Sequence, residues 1–246
     1  MSDNPQPGTW NEKQNILVIL AHPDDPEFFC GATLARWAQA GHEIDYVLLT
    51  CGDKGASDPA IDPGELCATR RSEQKAAAKV IGARKVYFLD ESDGHILPSM
   101  ELRKNITRII RQFRPDVLVT CDPQNLYPSA TYGINHPDHR YTGQVVLDAV
   151  FPAAGNPHYF RDLLDAEGLA PWTPREVWIS IPNALNVNVT LDVTDTWETK
   201  IRALKEHASQ IGDPAKLEER MRARHTEAST LEAPRYEERF HLIKLK

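Results

Sequence analysis

Two short stretches of this 246-residue chain concentrate the side chains that hydrolytic chemistry uses. The first is Ala21-His22-Pro23-Asp24-Asp25-Pro26-Glu27, with one imidazole and two adjacent carboxylates within four residues. The second is Asn135-His136-Pro137-Asp138-His139-Arg140, with two imidazoles three positions apart around an aspartate. Each alone has an ordinary alternative. Asp24 or Asp25 is a good N-cap for a following helix, which would make His22 incidental. Asp138 is a good first-turn acid, which would leave both later histidines as surface residues. Together they are more specific. Two histidines and one aspartate supply a three-ligand zinc site with a fourth position open, as catalytic zinc requires. Ferrous iron shares such ligands. The side chains of adjacent aspartates diverge, so one can bind the metal while the other stands beside its water as general base. The metal would acidify that water and polarise a carbonyl. A charged imidazole across the site would stabilise the oxyanion or protonate the leaving amine.

Such a site forms only if the fold brings the motifs together. The run 15–21 is continuously apolar, as a strand covered on both faces requires. Residues 27–40 follow with helical spacing and stop at Gly41, and 43–50 is a second strand. The stretch 51–63 is rich in Gly, Asp and Pro and predicts a loop. A helix is expected over 65–81, a strand over 85–89, a helix over 100–113 and a strand over 116–120. This alternation implies an α/β fold with a mostly parallel sheet and helices on both faces. Ligands then bind beyond the carboxyl ends of the strands, and both motifs fall there. Beyond Thr120 the pattern loosens. A helix is expected over 138–150, irregular chain over 151–173, strands over 176–181 and 187–193, helices over 194–209 and 215–224, and a last strand over 236–245.

Composition bounds the alternatives. Apolar residues are 41% and charged residues 26%, which excludes collagen-like, disordered and disulfide-scaffold classes. The formal charge of −7 argues against nucleic acid as a partner. No window approaches the apolar length of a membrane helix. No linker composition or repeat divides the chain, so one domain over 1–246 is expected, with 1–12 a disordered or strap-like lead-in. That lead-in lacks the pattern of a signal peptide. Cys30, Cys51, Cys67 and Cys121 match no zinc-ribbon or disulfide framework, so reduced thiols and a cytoplasmic location are expected.

At this point the chain resembles a known family, the LmbE-like (PIG-L type) zinc deacetylases of the N-acetylglucosaminyl deacetylase superfamily. The resemblance rests on the motif at 21–27 followed by Gly31-Ala32-Thr33-Leu34, and on Leu49-Thr50-Cys51-Gly52-Asp53-Lys54-Gly55. It extends through Arg70-Arg71-Ser72-Glu73, Arg114-Pro115-Asp116-Val117 and the motif at 135–140, with a weaker match at Lys200 and His207-Ala208-Ser209-Gln210. It implies a Rossmann-like three-layer sandwich with extra C-terminal strands and helices. It implies that His22, Asp25 and His139 ligate zinc, that Asp24 is the general base, and that His136, oriented by Asp138, faces the oxyanion or the leaving amine. Arg70 would line the substrate pocket. The implied substrate is an N-acetylated amino sugar or glycoconjugate, with a thiol S-conjugate amidase or a non-catalytic metal-binding homologue as alternatives. A trimer or hexamer is implied as the assembly.

Some members carry a tyrosine just before the second motif. Here Ile134-Asn135 stand there, with Tyr132 and Tyr127 further back, and Tyr132 is the candidate for that role. Asp93-Gly94-His95, just past the third strand, is a candidate contact for substrate hydroxyls or a plain turn. Gly52-Asp53-Lys54-Gly55 lacks phosphate-loop spacing, and the first strand is followed by acids where a dinucleotide-binding chain needs glycines. His207 and Gln210 either orient a metal ligand from outside or are polar helix residues.

Overall fold

The computed structural model describes residues 6–128, 133–182, 184–226, 229–230 and 232–245. A seven-stranded sheet forms the middle layer, in the order β3-β2-β1-β4-β5-β7-β6. Its strands are β1 (Asn15–Leu20), β2 (Glu43–Leu48), β3 (Lys85–Phe88), β4 (Val117–Cys121), β5 (Glu176–Ser180), β6 (Val189–Asp192) and β7 (Glu237–Lys244). The first five pair in parallel, while β7 runs antiparallel to both β5 and β6.

The continuous apolar run of β1 has the reason expected of it. Ile16, Val18 and Leu20 pack on one face with α1 (Asp25–Gln39) and α2 (Pro63–Ile81). Leu17, Ile19 and Ala21 pack on the other with α3 (Met100–Phe113) and α4 (Pro137–Asp148). Side chains alternate across a strand, so a strand in the middle layer must be apolar at every position. The chain runs outward through β1, β2 and β3, then returns to place β4 on the other side of β1. The strand order therefore reverses between β1 and β4, and a crevice opens there.

Several boundaries differ from the sequence expectation. The helix expected over 194–209 is a short 3₁₀ turn, α6 (Trp197–Lys205) and α7 (Ala208–Ile211), because His207 leaves helical geometry with its imidazole buried against Glu27. The helix expected to reach residue 150 ends at Asp148 and runs into a wider turn, Ala149–Ala154, that contains Pro152. The short α5 (Arg161–Asp165) lies in the stretch expected to be irregular, and α8 (Pro214–Arg222) follows α7. Residues 6–14 form a strap, with Trp10 against Trp37, Trp178 and His42.

The expectation of four reduced thiols is overturned. Cys51, just past β2, is bonded to Cys67 on α2, and their Cα atoms lie 5.2 Å apart. The loop between them turns back on itself, which linear spacing cannot reveal. Cys30 and Cys121 are free and buried, and burial pushes both thiols well above their ordinary pKa.

Helix α1 is broken at Cys30 (φ −148°, ψ 21°), and the break is built. Glu238 on β7 accepts hydrogen bonds from the backbone N–H groups of Ala32 and Thr33. Lys200 on α6 donates to the freed carbonyl of Phe28 and to Glu238. Both ends of that ion pair are buried. The first turn of α1, which carries the upstream motif, is thereby set at its own angle.

Candidate metal centre and active site

The two motifs meet in the crevice between β1 and β4. His22 and Asp25 arrive from the end of β1 and the first turn of α1, and His139 from the first turn of α4. Helix α4 gets close because of Gly143, one turn further on. A Cβ there would stand 2.3 Å from the carbonyl oxygen of Cys121.

The donor atoms converge. His22 Nδ1 lies 3.2 Å from His139 Nε2 and 3.5 Å from Asp25 Oδ2, and His139 Nε2 lies 3.1 Å from Asp25 Oδ1. Tetrahedral zinc with bonds of about 2.0–2.1 Å needs donors about 3.3–3.4 Å apart. The three residues fit that requirement in donor type, with Asp25 facing His22 through Oδ2 and His139 through Oδ1. His136 also brings a nitrogen within 4.8 Å of the ring nitrogens of His22 and His139.

Outer partners orient the candidate ligands. His22 Nε2 lies 3.2 Å from both Asp93 Oδ1 and Asp138 Oδ2, so its proton belongs there and Nδ1 offers its lone pair. Asp138 is itself held by the N–H groups of Gly94 and Ile96. His139 Nδ1 donates to Asn135 Oδ1 at 2.9 Å, which frees Nε2. Asn135 is turned the right way because its amide N–H donates to the carbonyl of Asn125. Burial lowers the pKa of His22, but the carboxylates of Asp138, Asp25 and Asp93 outweigh it and hold the imidazole well above its ordinary value. Burial likewise disfavours the Asp25 carboxylate, yet His139 and His22 hold it far below the usual range. Such a cluster has the charge balance in which a bound cation would displace a proton.

Asp24 stands beside this triad in a left-handed conformation (φ 86°, ψ −25°). Burial, reinforced by the neighbouring Asp25 carboxylate, pushes it up to about 6, against the pull of Arg70. The buried Arg70 donates to the carbonyls of Gly52 and Pro23 and lies 3.4 Å from Asp24 Oδ2. Gly52 (φ +71°) leaves room for the guanidinium, since a Cβ there would lie 2.2 Å from Arg70 Nη1.

His136 caps α4. Its Nδ1 accepts from the backbone N–H of Asp138 at 3.2 Å, so the neutral ring carries its proton on Nε2. Burial and the neighbouring His22 and His139 lower its pKa. The structure thus favours a neutral donor over the charged imidazole expected. The Asp138 carboxylate, expected to orient His136, turns instead to His22, as does that of Asp93, expected to meet substrate hydroxyls. Tyr132 lies outside the described residues, and Tyr127 is exposed.

A cleft of about 780 Å³ opens over the site. Its walls include Phe28, Phe29, Pro128, Ile134 and Ile181, together with the polar Lys54, Arg70 and Asp93. Sequence reasoning gave no role to Gln74, to Asn135 or to the Lys200–Glu238 pair. Gln74 is one helical turn beyond Arg70, and that spacing is the signal that would have found it.

The fold and site define an α/β protein with a His/Asp metal site at the switch point of its sheet. Residues 17–150 match the PIG-L family model, described as GlcNAc-PI de-N-acetylase. The chain is 34% identical over 202 residues to the diacetylchitobiose deacetylase of Thermococcus kodakarensis, covering 82% of this chain and 72% of that one. It is 27% identical over 236 residues to a 1D-myo-inositol 2-acetamido-2-deoxy-alpha-D-glucopyranoside deacetylase of Mycobacterium sp. strain KMS, covering 80% and 74%. The solved N,N'-diacetylchitobiose deacetylase from Pyrococcus horikoshii, in complex with its inhibitor MPG, superposes with a TM-score of 0.85 at 30% identity, over 98% of this chain and 88% of that one. The chain belongs to the PIG-L (LmbE-like) family of deacetylases.

Proposed function

We propose that this chain is a zinc-dependent N-deacetylase that releases acetate from an N-acetylated amino sugar or glycoconjugate. The observation that carries the reading is the convergence of His22, His139 and Asp25, whose donor atoms approach to 3.1–3.5 Å, with a second carboxylate, Asp24, next in sequence to Asp25. Those three residues would hold Zn²⁺, or Fe²⁺, which when bound polarises the amide carbonyl and acidifies water.

The chain's own groups do the rest. Asp24 takes the proton of the attacking water, and a carboxylate tuned to about 6 suits a base working near neutral pH. Oxygen adds to the acyl carbon, and His136 presents Nε2–H to the oxyanion that forms. Asp24 returns its proton to the amide nitrogen as the C–N bond breaks, which leaves acetate and a free amine. Arg70 lines the cleft and steadies Asp24. The mix of aromatic and hydroxyl-binding groups on the walls suits a sugar, which offers an apolar face and polar edges.

The chain 1–246 is read as one catalytic domain, supported by a single sheet whose strands run from residue 15 to residue 244. A trimer or hexamer, as the family resemblance implies, is proposed, and light scattering tests it. No described helix is long and apolar enough to cross a membrane. A cytoplasmic location is also proposed, and the Cys51–Cys67 bond is the observation that weighs against it.

The test is metal content and acetate release from N-acetylated chito-oligosaccharides and N-acetylglucosaminyl-inositol. About one zinc or iron per chain and turnover in the wild type, with both lost in His139→Ala, is the expected result. A wild type that stays metal-free after reconstitution, or a His139→Ala variant that keeps its metal, overturns the ligand assignment.

A further inference from the structure

Asp24 holds a conformation that side chains avoid. A non-glycine residue at φ 86° carries strain of about 1–3 kcal/mol and persists only where its surroundings over-determine it. Asp24 makes no side-chain cap to its own helix. Its backbone N–H instead donates to Gln74 Oε1 on α2, at 2.8 Å.

The orientation of that carboxamide is not free. Gln74 Nε2 donates to both carboxylate oxygens of Glu27, at 3.1 and 3.0 Å, so the oxygen end must face Asp24. Glu27 is fixed in turn by His207 Nε2 at 3.1 Å. Glu27, Gln74 and His207 are all 0% exposed, so each bond is shielded from competing water. One turn earlier on α2, Arg70 holds the carbonyl of Pro23, on the other side of the same peptide unit. The φ of a residue sets the direction of its Cβ, so clamping the Asp24 backbone aims its carboxylate.

We propose that Gln74, locked by Glu27 and His207, is a positioning residue that holds Asp24 in its left-handed conformation and so aims the carboxylate at the attacking water. The proposal rests on the reading of Asp24 as the general base. The hydrogen bonds of Gln74 go to Asp24 and Glu27 and to none of His22, Asp25 and His139, so its effect on turnover and its effect on metal content are read separately.

The test uses the metal-loaded protein and three variants. Gln74→Met keeps the volume and removes the acceptor. Gln74→Glu puts two buried carboxylates face to face. The exchange Glu27→Gln with Gln74→Glu rebuilds the chain in reverse. There the new carboxylate accepts from Asp24, and the new amide donates to it while accepting from His207. The expected result for Gln74→Met is a kcat lower by about 10- to 100-fold, with KM and metal per chain unchanged. Amide exchange at Asp24 and Asp25 should rise, and the double exchange should recover most of both losses. A wild-type kcat in Gln74→Met, loss of metal together with kcat, or a double exchange no better than Gln74→Glu would overturn the proposal. The amide-exchange comparison separates this failure from that of the deacetylase reading. A wild type without turnover sinks the reading, while exchange at Asp24 still reports whether Gln74 clamps it, and unchanged exchange in Gln74→Met refutes the clamp.

Discussion

Replacing Asp24 by Asn should stabilise the metal-free protein at neutral pH while removing turnover. Burial and the adjacent Asp25 carboxylate push Asp24 from an ordinary 3.8 up to about 6. Two pKa units correspond to about 3 kcal/mol of penalty on the ionised form. That is a ceiling, because the side chain keeps 17% of its exposure, so about 1–3 kcal/mol is expected. The sign follows from proton counting. Unfolded Asp24 ionises near 3.8 and folded Asp24 near 6, so between those values the folded state binds more protons and stability falls as pH rises. The penalty is absent below the lower value and complete above the higher one. Asn carries no charge, and it tolerates the left-handed conformation, so the backbone is not the variable. Urea denaturation of the metal-free proteins at pH 3 and pH 7.5 reads the difference. The two should nearly coincide at the lower pH and separate by about 1–3 kcal/mol at the higher, with Asp24→Asn the more stable. Acetate release by the metal-loaded variant should fall by about 10²- to 10⁴-fold with metal content unchanged. Equal or lower stability of Asp24→Asn at pH 7.5 would refute the desolvation argument, and near-normal turnover would refute the base.

Three further outcomes follow from the same contacts. Asn135→Leu removes the acceptor that fixes the His139 tautomer, so metal affinity measured by chelator competition should fall about 10- to 100-fold. Lys200→Met strands the buried Glu238 carboxylate and should cost about 3–5 kcal/mol in chemical denaturation, much of it recovered by adding Glu238→Gln. Cys67→Ser opens a loop of 16 residues and should lower stability by about 3 kcal/mol, a loss that dithiothreitol reproduces in the wild type and leaves unchanged in the variant.

Much of the architecture was legible along the chain. The apolar run of β1 announced a strand covered on both faces, and α3 (Met100–Phe113) falls where the sequence placed it. The chemistry was legible too, because zinc ligation and general-base work draw on few residue types, and those types cluster at 22–25 and 136–139. What the sequence does not carry is which atom faces which. The family resemblance implied Asp138 as the partner that orients His136, yet its carboxylate turns to His22, 116 residues distant. Cys51 and Cys67 looked like independent thiols because nothing in their spacing shows the loop folding back. The Glu27–Gln74–His207 clamp joins residues up to 180 positions apart, and the spacing of Gln74 from Arg70 on α2 marks only one of its members. The sequence by itself determined the alternation of elements and the inventory of reactive groups, since both follow from periodicity and side-chain chemistry. Only the tertiary structure decided the tautomers, the aim of each carboxylate and the pKa of Asp24, because these depend on burial and on neighbours that long-range packing supplies.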